Sequence, residues 1–208
     1  SNFTNDKGGP WQPIYIGEKS SIHKMDEQHF AYDLFLVGAL FAFAMAYFIT
    51  FLYMRNTKTG DLALNFSLFT GAILLKLLVT SSLFLYQLFP KTPTTVYVHI
   101  EYLTFFLAPF FYHSYIHKLF KPYSSERALT AFRYFIIVIT GFSLLTPLYI
   151  YSHTVPLFQA VALLLMGYHI YLSIRMYRDD HYKGIVLFVT TLLLITATVH
   201  DILQVNSK

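Results

Sequence analysis

The sequence predicts an all-α integral membrane helix bundle with six transmembrane helices and the N-terminus outside. Three observations carry this. First, of 208 residues 55% are hydrophobic and only 12% charged, with mean hydropathy +0.49, whereas a soluble domain carries roughly 25% charged residues. Second, six apolar stretches lie at about 30–53, 62–88, 95–117, 129–150, 155–176 and 184–204, matching the ~20 residues a helix needs to cross the hydrocarbon core. Third, the basic residues are unevenly placed. The first, third and fifth connections hold Arg55 and Lys58, then Lys118, Lys121 and Arg127, then Arg175, Arg178 and Lys183, while the second and fourth hold only Lys91. Cytoplasmic loops collect Lys and Arg, so the odd connections are assigned to the cytoplasm.

Residues 1–28 are polar and read as an extracytoplasmic segment, with Trp11–Ile16 either a short strand or an irregular tail. The chain opens on Ser1 rather than Met, and it reads as a processed or truncated piece of a longer protein. Residues 29–208 form the bundle. Tyr53, Tyr86, Tyr97, Tyr149, Tyr151 and Tyr177 stand near span ends, where an interfacial aromatic belt is expected. Gly141, Gly167 and Gly184 permit close helix approach, and Pro109 is expected to bend the third span. The net charge of +4 sits in short loops between apolar spans, so it sets topology rather than recruiting nucleic acid. The absence of Cys excludes disulfides and thiolate metal sites.

The second span contains FSLFTGAILLKLLVTSSLFLY, Phe66–Tyr86, whose one charge, Lys76, falls near its midpoint. A Lys at the centre of a bilayer costs roughly 2.5–3.5 kcal/mol on insertion scales, so such residues face a partner or a wet cavity. At about 1.5 Å of rise per residue, Asp33, His99, Glu101, Gln159, His200 and Asp201 fall in the outer third, while His113, His117, Arg133 and His169 belong to the inner half. Positions 11 apart lie about 20° apart on a helix. Asn65, Lys76 and Gln87 therefore share a face, with Thr80 one turn from Lys76, and Thr190 and Asp201 share a face of the sixth span. The leading pairing is Lys76 with Glu101 or Asp201 as counter-ion. Lys76, Glu101, Asp201, His200, His99, Asp33, Gln159 and Thr80 make up the candidate polar network, which either braces the helices or lines an outward ligand cavity.

His113 and His117 form HSYIH, an i, i+4 pair able to place two imidazoles on one metal, though no carboxylate near in sequence completes a site. His99 and His113, with His200 and His169, allow two bis-His haems by geometry alone. Each histidine by itself is more simply a hydrogen-bonded interior residue, and no metal or cofactor is expected. No Gly-rich phosphate loop, nucleophile elbow or kinase motif occurs, so the bundle is expected to be non-catalytic.

The order of features resembles the bacterial seven-transmembrane receptors with diverse intracellular signalling modules, the DISM-type receptors. The resemblance runs from about Phe30 to Asn206. It rests on the first span DLFLVGALFAFAMAYFITFLYMRN with its Arg-bearing turn and on the long third span running into HKLF. A sixth span entered through KGIVLF and closed by HDILQVN completes it. WQPIYIG is similar to the tail of the extracytoplasmic β-sandwich sensor domain that such receptors often carry. The resemblance implies a seventh span, beyond this chain, leading to a cytoplasmic output module such as a cyclase, diguanylate cyclase, histidine kinase or phosphatase. It further implies a multi-pass protein of the bacterial cytoplasmic membrane that transmits a signal. Its expected partners are the lipid bilayer, an extracytoplasmic ligand, the signalling module of the parent chain and a second copy in a homodimer, with no nucleic acid. Two other classes stay open: a secondary transporter or proton-coupled carrier, which would be expected to show sequence repeats that are not evident here, and a membrane metal or haem protein using His113, His117 and His169.

Overall fold

Short polar caps and turns divide the chain into helices. The computed structural model describes residues 19–80, 85, 88–147, 150 and 152–206, with their side chains from 21 to 199 apart from 22, 26 and 152. The helices are α1 (Lys19–Tyr53), α2 (Lys58–Thr80), α3 (Thr94–Leu119), α4 (Glu126–Leu145), α5 (Val155–Tyr177) and α6 (His181–Asn206), with a 3-10 turn at Ser152–Thr154 before α5. Among the described residues every regular element is helical. The strand expected at Trp11–Ile16, the end of the second span around Gln87, and Tyr86, Tyr149 and Tyr151 lie outside the described residues.

Several helix starts have a local cause. Thr57 Oγ1 accepts from Gly60 N at 3.1 Å, capping α2. Ser125 Oγ accepts from Ala128 N at 3.4 Å, and Asp180 Oδ1 accepts from Lys183 N at 3.1 Å. These side chains satisfy first-turn N–H groups that have no partner inside the helix. Pro stands in the first turn of α5, where its missing N–H removes no helical bond. α3 runs unbroken through Pro109.

Several helices begin before their apolar stretches, whereas α4 ends at Leu145, short of the stretch that runs to 150. α1 begins at Lys19 rather than near residue 30, and its extra turns carry an i, i+4 contact between His23 Nε2 and Glu27 Oε1 at 3.3 Å. Among the described residues five helices (α1, α2, α4, α5 and α6) are long and apolar enough to cross a membrane by length and composition. α3 is 26 residues long, but His99, Glu101, His113 and His117 dilute its hydropathy.

α1 packs along α2, α2 along α3, α3 along α4 and α5 along α6. Two clusters meet on α3. Phe106 packs with Phe132, Ile136, Ile139, Phe158 and Ala162 of α4 and α5. Ile116 packs with Leu172, Met176 and Leu187 of α5 and α6 and with Phe120 in the following turn. The surface is apolar, with Phe35, Val138, Leu164 and Leu193 exposed, whereas Asn65, Thr70, Thr104, His113, His117, His169, Ser173 and Thr191 are buried. Such a distribution suits a hydrocarbon solvent, which imposes no penalty on exposed Leu and drives polar groups inward. Ser67 of α2 shows the consequence, donating to the Ala44 carbonyl of α1 at 2.8 Å.

Two sequence expectations change here. Tyr97 is buried, its hydroxyl reaching the carbonyls of Leu85 and Phe89 at 3.1 and 2.7 Å, so it ties the α2–α3 connection instead of joining an interfacial belt. Of the glycines, a Cβ on Gly184 would come within 2.6 Å of Tyr177 Cα, whereas Gly141 and Gly167 have no neighbour within 4 Å. Close approach occurs at the α5–α6 turn and not along the spans.

Candidate functional site

Helical spacing places Glu101 and Phe105 of α3 one turn apart on the same face, against α2. The half-buried Lys76 ammonium lies 5.7 Å from the centroid of the Phe105 ring, close enough for a cation–π contact. It also acts electrostatically on the half-buried Glu101 carboxyl. Phe105 in turn packs on Phe106 and Phe158 at 5.7 and 4.8 Å. The α2–α3 seam therefore holds one cation and one carboxyl beside an aromatic cluster. In so apolar a setting their interaction is screened far less than at a protein surface.

The other members of the predicted network fall differently. Thr80 is exposed, and its hydroxyl donates to the Lys76 carbonyl at 2.9 Å, so it serves its own helix. His99 Nδ1 stands 2.7 Å from the Thr95 carbonyl. A carbonyl only accepts, so Nδ1 carries the proton and the tautomer is fixed. Asp33 on α1 and Gln159 on α5 are half-buried. His200 and Asp201 belong to α6, but their side chains lie outside the described residues. Structure thus brings Lys76, Glu101 and Phe105 together.

A second polar constellation lies nearer the end where the basic connections gather. That end is cross-linked by Lys118 Nζ to Asp61 Oδ2 at 3.6 Å, by the Tyr123 hydroxyl to Asp179, and by Lys183 Nζ to Asp180 Oδ2 at 2.7 Å. Inside it, His113 Nδ1 of α3 meets His169 Nε2 of α5 at 2.9 Å. His113 and His117 do not converge on one point. His117 Nδ1 meets Ser124 Oγ at 2.9 Å, and its Nε2 meets Glu126 Oε1 at 3.2 Å. His117 is also buried, with 4% of its side chain exposed. Nor does it lack a carboxylate, since Glu126 comes to it across the α3–α4 turn. Among the described residues no three His, Cys, Asp or Glu side chains gather to hold a metal.

A line of polar contacts runs from His117 to α5. Ser125 N donates to Tyr168 Oη at 2.8 Å, Tyr168 Oη meets Ser124 Oγ at 3.4 Å, and Ser124 Oγ meets His117 Nδ1, whose Nε2 faces the Glu126 carboxylate. Sequence reasoning missed Ser124, Tyr168 and Glu126 as partners, and it set His113 with His169 only as haem ligands, whereas the two rings, 56 residues apart, bond to each other directly. The usable signal was depth: both histidines stand shortly before the ends of helices that run the same way, α3 at Leu119 and α5 at Tyr177.

A lipid-exposed shell around buried polar contacts defines the class as a multi-pass membrane helix bundle. Residues 29–207 match the family described as 7TM diverse intracellular signalling. The chain belongs to this family of seven-transmembrane signalling receptors. No curated protein and no solved structure matches it.

Proposed function

We propose that this chain is the transmembrane part of a receptor that couples an extracytoplasmic ligand or sensor domain to a cytoplasmic output module. The observation that carries this reading is the α2–α3 seam, where Lys76 lies over Phe105 and acts on Glu101. A charge in so apolar a setting is costly to leave without compensation, so moving α2 against α3 would exchange one discrete arrangement for another. A ligand biases such an element only by its differential affinity for the two states, and typical coupling energies are about 1–3 kcal/mol. The bundle itself is non-catalytic in this reading. It sits in a bacterial cytoplasmic membrane with the N-terminus outside and the basic connections in the cytoplasm, as the Lys and Arg distribution supports.

Signalling output of the full-length protein tests the proposal. Lys76→Met and Glu101→Gln are each expected to shift the ligand response by roughly 5- to 150-fold in apparent affinity or to fix the output. Unchanged signalling in both variants removes the polar seam as the sensing element. Substrate flux in proteoliposomes separates this reading from a secondary transporter, for which ionisable groups at mid-depth would form a substrate or proton path.

A further inference from the structure

Buried polar atoms are nearly always hydrogen-bonded, and each exception calls for a physical account. Four such exceptions stand on adjoining residues of α3, α5 and α6. Tyr112 Oη, His113 Nε2, His169 Nδ1 and Thr191 Oγ1 are buried with no hydrogen-bond partner among the described residues. His113 and Thr191 are 0% exposed and His169 is 1% exposed. The Tyr112 and His169 rings meet edge-on at 5.4 Å, and the Tyr112 hydroxyl stands close enough to the Thr190 and Thr191 hydroxyls to interact with both without a formed hydrogen bond to either. Thr70, Thr104 and Thr190 return their hydroxyls to a carbonyl one turn back, as helical Thr commonly does. Thr191 does not.

The His113–His169 contact sharpens the point. Its 2.9 Å bond holds one proton, on either ring. If His113 Nδ1 donates, His169 keeps its proton on Nδ1 and His113 Nε2 is bare. If His169 Nε2 donates, His169 Nδ1 is bare and His113 Nε2 carries the proton. Either way the neutral pair presents one N–H and one lone pair to the interior. A cation is refused by the N–H, and an anion by the lone pair. A molecule that both donates and accepts suits both tautomers, and the Tyr112 and Thr191 hydroxyls adapt to it by rotation.

We propose that Tyr112, His169 and Thr191 form an internal water-binding site between α3, α5 and α6, backed by His113 across the shared bond. Bound water characteristically makes two to four hydrogen bonds to otherwise unsatisfied groups, and these three side chains supply three. The water adds α6 to the polar contact that the His113–His169 bond already makes between α3 and α5. The site is independent of the sensing role given to Lys76.

Water-edited solid-state NMR on the full chain in lipid bilayers, labelled at His, Tyr and Phe, provides the test. Phe106 and Phe158 serve as dry references, because they are 0% and 1% exposed and packed among apolar side chains. Magnetisation transfer from water to the Tyr112 and His169 side chains is expected to be at least about threefold faster than to those rings, as an ordered water in contact requires. Equal rates overturn the proposal. Thr191→Val keeps the side-chain shape and removes the hydroxyl, so transfer to Tyr112 should fall while the rest of the spectrum is kept. Undiminished transfer removes Thr191 from the site. The wild-type comparison decides the main point even if the variant does not fold.

Discussion

Asp180 shows how one side chain can serve two structural purposes at the basic end. It caps α6 through Lys183 N and pairs with the Lys183 ammonium, and these contacts with Lys183 hold its carboxyl below the ordinary 3.8. Because the folded value is the lower one, the cap's contribution is complete above the ordinary carboxylate range and is lost as pH falls through the lowered value. Carboxyl carbon titration should give a midpoint below that of a free Asp, and Lys183→Met should move it back toward 3.8. Tyr168 allows a second test. Its hydroxyl links Ser125 N to Ser124 and so to His117, and Tyr168→Phe should cost about 1 kcal/mol, as expected for a hydrogen bond whose partners keep access to solvent. A thermal shift assay on the purified protein measures it. The partners of His117 could not be read from the sequence, because HSYIH advertises an i, i+4 metal pair while Ser124 and Glu126 come from the next turn and Tyr168 from another helix.

At the level of the element, apolar stretches located the helices to within a few residues where caps were weak and less well where polar turns continued them. α1 illustrates the second case: hydropathy stops where the polar residues begin, but backbone hydrogen bonding and the His23–Glu27 contact carry the helix on to Lys19. Glycine was legible as a small residue without its use being legible. A Cβ at Gly184 would meet Tyr177 backbone at 2.6 Å, so Gly184→Ala should destabilise the α5–α6 hairpin by about 1–3 kcal/mol. Gly141→Ala meets nothing and should be neutral or stabilising by up to about 1 kcal/mol, since Ala loses less backbone entropy in a helix. Comparing the two melting temperatures separates the cases.

On the scale of the whole molecule, topology is open to direct measurement because the chain has no Cys. A single Cys replacing Thr92 should react with an impermeant thiol reagent added outside the cell. One replacing Lys121 should react only after the membrane is opened. The reverse pattern would invert the orientation on which the receptor reading depends.

Composition and the placement of Lys and Arg determined the membrane class, the number of apolar spans and the expected orientation, because transfer into hydrocarbon is a local property summed along about 20 residues. Family membership was legible for the same reason, as the order of those spans is itself a sequence pattern. Which polar groups meet was decided by tertiary structure alone. Helical phase narrowed Lys76 to a face of α2, yet only the packing of α3 set Phe105 beneath its ammonium and Glu101 within reach. The His113–His169 bond arises where two helices running in the same direction bring equal depths together, a coincidence in three dimensions that neither helix records in its own sequence.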